Sequence, residues 1–198
     1  MTLCIPKVDA AGGNHKCNVF KEGEEEEVSA RKEDQEKVKM ADERRRFAHY
    51  HSRYQAHQNS AKLEKKLLLR HRGQNLPVHS KGELCTQLLE TQAEALTLLG
   101  NARRTLWASY VLGYYQVWEK GTSLKEVFED LQHLLENRTE ALSRSIEGSL
   151  MPSGHQGPDL TTLQKHRTDI MSNMAAVKTN QRNLIVSTTS SSTAYTSP

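Results

Sequence analysis

Residues 123–148 read SLKEVFEDLQHLLENRTEALSRSIEG. Leu124, Val127, Phe128, Leu131, Leu134, Leu135, Leu142 and Ile146 recur at three- and four-residue intervals, so at 3.6 residues per turn they form one apolar stripe. A strand needs strict alternation, which is absent here. Ser123 and Glu126 have the spacing of a capping box, in which serine and glutamate each satisfy a free N–H at a helix start. Gly148 and then Pro152 end the pattern, giving an amphipathic helix with defined ends.

The same periodicity extends outward in both directions. Upstream, a second capping-box spacing, Ser80 with Glu83, predicts a helix carrying Leu84, Leu88, Leu96, Leu99, Ala102, Leu106, Tyr110, Val111, Tyr114 and Trp118. Gly100 within it predicts a bend or break. Further upstream, Phe47, Tyr50, Tyr54, His57, Ala61 and Leu68 share one helix face, with Leu63 and Leu67 in a row beside it, and the helix is expected to end near Gly73 ahead of Pro77. Downstream, Asp159 is placed to cap a helix with Leu160, Leu163, Ile170, Met171, Met174, Val177, Leu184 and Ile185.

Two polar segments flank this body. From Lys21 to Arg46, 18 of 26 residues are charged, too many to build a core but suited to a solvated linker helix held by i,i+3 and i,i+4 ion pairs. The last 12 residues hold nine Ser or Thr and no periodicity, and read as a disordered tail. The fold class is therefore all-α: an elongated bundle of three to four helices with a charged N-terminal linker helix (residues 21–46), a helical body (47–186) and a disordered tail (187–198).

Composition narrows the function classes. The 198 residues are 36% hydrophobic and carry a net charge of +3, too small by itself to argue for nucleic acid. No stretch approaches the length of a transmembrane span, and the first residues lack the basic start and apolar core of a secretory signal, so the expected location is the cytoplasm, the nucleus or both. Three cysteines, Cys4, Cys17 and Cys85, are too few and too widely spaced for a disulfide framework or a paired CxxC site.

Candidate chemistry is sparse. His49, His51 and His57 invite a metal, but His49 and His51 project from opposite sides of a helix, and His57 aligns with Tyr50 and Tyr54 as a packing residue. Arg44, Arg45, Arg46 and Arg53 beside aromatics resemble a nucleic-acid surface, yet those aromatics lie on the apolar stripe, where burial is expected, and the acidic run Glu24 to Glu27 opposes phosphate. Cys85 sits at a helix start, where exposed N–H groups lower a thiol pKa, but its spacing from Leu89 reads as a quiet buried or half-buried cysteine. No serine-nucleophile elbow, phosphate-cradling glycine loop or His-Glu-x-x-His motif is present. From the residues alone the chain is a helical interaction module without evident catalysis.

Four patches in order resemble the Ariadne domain at the C-terminal end of RING-between-RING (RBR) ubiquitin ligases. Asn14-His-Lys-Cys17-Asn18-Val-Phe20 is similar to the end of the family's catalytic RING-like domain, making residues 1–20 a remnant of it. The stretch from Arg46 to Leu67, RFAHYHSRYQAHQNSAKLEKKL, is similar to the aromatic-rich first helix. Two further similar stretches are Ala102 to Tyr115, ARRTLWASYVLGYY, and Leu135 to Glu147, LENRTEALSRSIE.

The resemblance implies a regulatory role in protein ubiquitination: the helical domain folds back on the catalytic RING-like domain and masks its active cysteine until a partner releases it. The masking contacts of the family fall on Leu63, Glu64 and Glu147. Read without the resemblance, Glu64 and Glu147 are solvated surface glutamates. Also implied are partnership with that catalytic domain in cis or in trans, with a ubiquitin-conjugating enzyme and with a cullin-RING ligase, and zinc as cofactor of the full-length family. Cys4 and Cys17 are possible remnants of a zinc site, two thiolates short of the four ligands that structural zinc needs. No residue here is assigned as catalytic, and the chain alone is expected to transfer no ubiquitin. The alternative to this regulatory role is a free-standing helical scaffold or nucleic-acid-binding module.

Overall fold

The computed structural model describes residues 32–73, 82–118, 123–149 and 159–193. They form four helices, α1 (Lys32–Gly73), α2 (Glu83–Tyr115), α3 (Leu124–Ser149) and α4 (Leu160–Thr193), in agreement with the all-α expectation. From Lys32 on, the charged linker and the aromatic-rich segment are one continuous helix, because ion pairing such as Arg45 with Asp42 carries the helix through residues that cannot pack; residues 21–31 of the linker lie outside the described residues.

Each of the last three helices contributes a buried seam with steps of three and four residues. In α2 it runs Leu88, Gln92, Ala95, Leu99, Ala102, Leu106, Ser109 and Gly113; in α3 it runs Phe128, Gln132, Leu135, Thr139, Leu142, Ile146 and Ser149. In α4 the buried positions Leu163, Ile170, Met174, Val177 and Leu184 stand three, four or seven residues apart, on the same face. This is the spacing that lets antiparallel helices interlock side by side. Leu88, Leu96, Leu99, Leu106, Leu135, Leu142, Ile146, Ile170 and Leu184 make up the largest part of the shared core.

α2 lies in the middle. Arg46 bonds the Tyr114 carbonyl at 2.8 Å, Arg103 bonds Glu64 at 2.9 Å and His71 bonds Gln92 at 3.1 Å, so α1 runs antiparallel to α2. On its other side, Gln132 donates to Ser109 and Gln92 donates to Ser149, both at 2.8 Å, setting α3 antiparallel to α2. α4 touches both, through Asn173 with Ser145 and Gln181 with Thr105. Gly113 permits the closest approach: a Cβ there would sit 2.9 Å from Tyr50 Cε1 and 3.3 Å from Phe128 Cε1.

Three local expectations are corrected. α2 does not break at Gly100, because Leu96, Leu99 and Ala102 are buried on either side of it and keep the helix continuous. Its first residue is Glu83, with Gly82 at the cap and its carbonyl accepting the Cys85 N–H at 3.1 Å, so the helix starts after the expected cap; Ser80 lies outside the described residues. α4 continues past residue 186 to Thr193, with the Ser187 and Thr188 hydroxyls donating to the Leu184 and Ile185 carbonyls at 2.7 Å. Asp159 caps α4 as expected, its carboxylate accepting the Thr162 N–H at 2.8 Å, and that bond holds its pKa below the ordinary value. The helix start at Ser123 also stands, its carbonyl accepting from Val127 N–H at 2.9 Å.

Candidate functional site

The buried line of α1 is Tyr50, His57 and Glu64, seven residues apart, with the half-buried His71 continuing it. It is a polar seam, and it meets Arg103, which interrupts the apolar row Leu99, Ala102, Leu106 of α2 at a core position. A buried guanidinium requires counter-ions within reach. Arg103 finds them on both neighbouring helices: Nε donates to Glu64 Oε1 of α1 at 2.9 Å, and Nη1 donates to Glu140 Oε1 of α3 at 2.6 Å.

His57 links this pair to a second one. Arg103 Nη1 lies 3.3 Å from His57 Nδ1, and because a guanidinium can only donate, Nδ1 accepts and the ring proton sits on Nε2. Nε2 faces Glu136 Oε1 at 3.4 Å, and the imidazole stacks on Tyr110 with centroids 5.6 Å apart. Glu136 also accepts from Arg53 Nη1 at 3.2 Å and from the Tyr110 hydroxyl at 3.1 Å. Three helices are thus joined by one charged network between Tyr110 and Glu64.

The network sets the titration of its members. Burial pushes the Glu64 carboxyl above its ordinary value, Arg103 opposing and Glu140 and Glu147 adding to the rise. Burial acts the same way on Glu136, but the His57 ring against it, followed by the Arg53 charge and the Tyr110 hydrogen bond, holds it below the ordinary value. Tyr110 is raised well above its usual range by burial and by the Glu136 charge.

The residues singled out from sequence fall in three different settings. Leu63 is 64% exposed, outside the core as its place off the main stripe implied. Glu64 is only 8% exposed, which corrects its reading as a solvated surface glutamate; its Oε2 is buried and makes no hydrogen bond among the described residues. Glu147 is exposed, accepts from Ser143 Oγ at 3.2 Å, and lies close enough to Glu64 for their charges to interact. Cys4 and Cys17 lie outside the described residues. Cys85 is a half-buried free thiol, and His57 packs as expected.

One further correction concerns the aromatics. Phe47 is 52% exposed: it stacks on the exposed His51 with centroids 5.1 Å apart and meets α2 only at its last turn, edge-on to Tyr114 at 5.9 Å. Burial of the whole aromatic stripe does not hold.

Sequence reasoning missed Arg103, Glu136, Glu140 and the internal role of Glu64. The available signal was Arg103 at a core position of an otherwise apolar α2 seam, and Glu64 seven residues beyond His57. Among the described residues no group of three His, Cys, Asp or Glu could hold a metal, so they do not supply the zinc ligands that the resemblance implies. No helix among them is long and apolar enough to cross a membrane.

Comparison with known proteins bears on the same region. The Ariadne domain family model matches residues 45–155. The chain is 30% identical over 148 residues to "E3 ubiquitin-protein ligase ariadne-1" of Drosophila melanogaster, a match covering 73% of this chain and 27% of that protein. It is 31% identical over 143 residues to "Probable E3 ubiquitin-protein ligase ARI2" of Arabidopsis thaliana, covering 67% and 22% respectively. A match to "Probable E3 ubiquitin-protein ligase rbrA" of Dictyostelium discoideum is 31% identical over 140 residues and covers 70% and 25%. The chain spans about a quarter of the length of these relatives.

Proposed function

This chain belongs to the Ariadne-domain family, and from that premise we propose that it acts in protein ubiquitination as the regulatory, autoinhibitory part of an RBR ubiquitin ligase. It binds a catalytic RING-like domain in cis or in trans and masks its active cysteine. The thioester chemistry, and the zinc that organises it, belong to that catalytic domain. A ubiquitin-conjugating enzyme and a cullin-RING ligase are its further partners, in the cytoplasm, the nucleus or both.

The observation that carries this reading is the exposure of Leu63 beside an anchored Glu64. A leucine 64% exposed on a rigid helix, at the position where the resemblance places the apolar masking residue, is preorganised to enter a pocket on another surface. Glu147 supplies an exposed carboxylate for charge-assisted hydrogen bonds. Glu64 takes a different part from the solvated one expected: held by Arg103, it fixes the α1 turn that presents Leu63. Masking therefore divides into two contacting residues, Leu63 and Glu147, and one positioning residue, Glu64.

Calorimetric titration of the full chain into an isolated Ariadne-type catalytic RING-like domain tests the proposal. Micromolar binding, weakened about tenfold by Leu63→Ala, is the expected result. Absence of binding at about 100 µM sinks it.

A further inference from the structure

The outward face of the C-terminal half of α1 carries an unbalanced charge. Lys62, Lys65, Lys66 and Arg70 are all exposed, and none makes an ion pair with a described residue. No acidic residue stands three or four positions from any of them in the chain, and Glu64, the one carboxylate in this stretch, is buried and bonded to Arg103. Elsewhere on α1, Arg45 pairs with Asp42 and Arg53 with Glu136.

Among these cations stand two leucines that the bundle leaves uncovered, Leu63 at 64% and Leu69 at 59% exposed. At about 100° per residue the order around the helix is Lys65, Leu69, Lys62, Lys66, Arg70, Leu63, over an arc of about 160°. Leu67 and Leu68, on the opposite side, pack against the core. The exposed arc is therefore mixed, with about 120° separating its two apolar side chains.

We propose that this face docks an acidic protein segment bearing apolar side chains. Four uncompensated cations call for an anionic partner, and the separated leucines indicate its kind. An in-plane membrane helix inserts a continuous apolar face, and that face of α1 is already packed on the bundle. A single-stranded nucleic acid is held by aromatic stacking beside the cations, and the arc contains no aromatic residue. A folded or helical acidic segment with two apolar anchors satisfies both leucines and all four cations at once.

The inference shares Leu63 with the masking proposal but rests on the cations, and its test does not use a catalytic domain. A labelled synthetic peptide of about 16 residues, rich in Glu with Leu at i, i+3, i+4 and i+7, is titrated with the full chain by fluorescence anisotropy. Binding is expected to weaken at least about tenfold between roughly 50 and 300 mM salt. The triple variant Lys62→Glu, Lys66→Glu, Arg70→Glu, whose helicity is checked by circular dichroism, is expected to lose at least about tenfold in affinity. A matched peptide with Leu replaced by Ser is expected to bind at least about fivefold more weakly. Equal binding by the triple variant, no binding of the peptide, or tighter binding to phosphatidylserine vesicles or single-stranded RNA than to the peptide overturns the proposal. Should masking fail while peptide binding holds, this face stands independently of it.

Discussion

Arg103 Nε donates to Glu64 Oε1 at 2.9 Å in the interior of the α1/α2 interface, both residues being less than one-tenth exposed. The neighbouring residue, Leu63, projects into solvent. This ion pair, with the buried Tyr50 and His57 on the same line of α1, fixes the rotation on which the outward leucine depends.

Removing Arg103 leaves Glu64 buried and unpaired, with His57 and Glu140 deprived of the same donor. Arg103→Ala is expected to cost about 3–5 kcal/mol of stability, measured by urea unfolding. In a double-mutant cycle with Glu64→Gln the two changes should couple by about 1 kcal/mol or more, and strict additivity contradicts the pairing.

Glu136 and Glu64 are expected to show opposite pH trends. The Glu136 value is lowered in the folded state, so its contribution is present above 4.5 and lost as pH falls through the lower folded value. The Glu64 value is raised, so its contribution is present below 4.5 and lost as pH rises through the raised folded value. Relative to the parent chain, Glu136→Gln should cost more at neutral pH than in acid, and Glu64→Gln the reverse. Unfolding series across this range decide it: parallel curves for the two variants contradict the network.

Gly113→Ala places a methyl group 2.9 Å from the Tyr50 ring and 3.3 Å from Phe128. Overpacking of this kind costs about 1–3 kcal/mol, read as a lowered unfolding midpoint. Gly100→Ala, where nothing lies within 4 Å, should instead stabilise by about 0.4–1 kcal/mol.

α2, α3 and α4 were legible because their apolar spacing survives as buried seams, and so was the outward position of Leu63, which falls beside the stripe; the buried line of α1 is instead polar. Glu64 was not legible, since a carboxylate on a charged helix is ordinarily solvated and its counter-ion stands 39 residues away on another element. Arg103 was concealed in the opposite way, its core position being overlooked because arginine rarely fills one. Phe47 counted as stripe by spacing alone, but spacing cannot show that it meets α2 only at that helix's last turn. The run at Gly100 illustrates a further limit: local propensity argued for a break, and burial of Leu96, Leu99 and Ala102 overrode it.

Leu63 and Glu64, adjacent in sequence, should separate under mutation. Leu63→Ala is expected to leave stability within about 0.5 kcal/mol while weakening association with a catalytic RING-like domain, whereas Glu64→Ala should reduce both. Equal loss of stability in the two variants contradicts the division between contacting and positioning residues.

The central claim is masking, and single-turnover discharge of ubiquitin from a thioester-charged Ariadne-type catalytic RING-like domain, with the full chain added in trans, tests it most directly. The chain is expected to slow discharge about tenfold at saturation, an effect reduced by Leu63→Ala with Glu147→Ala although the variant stays folded. An unchanged discharge rate in the presence of excess folded chain would contradict it.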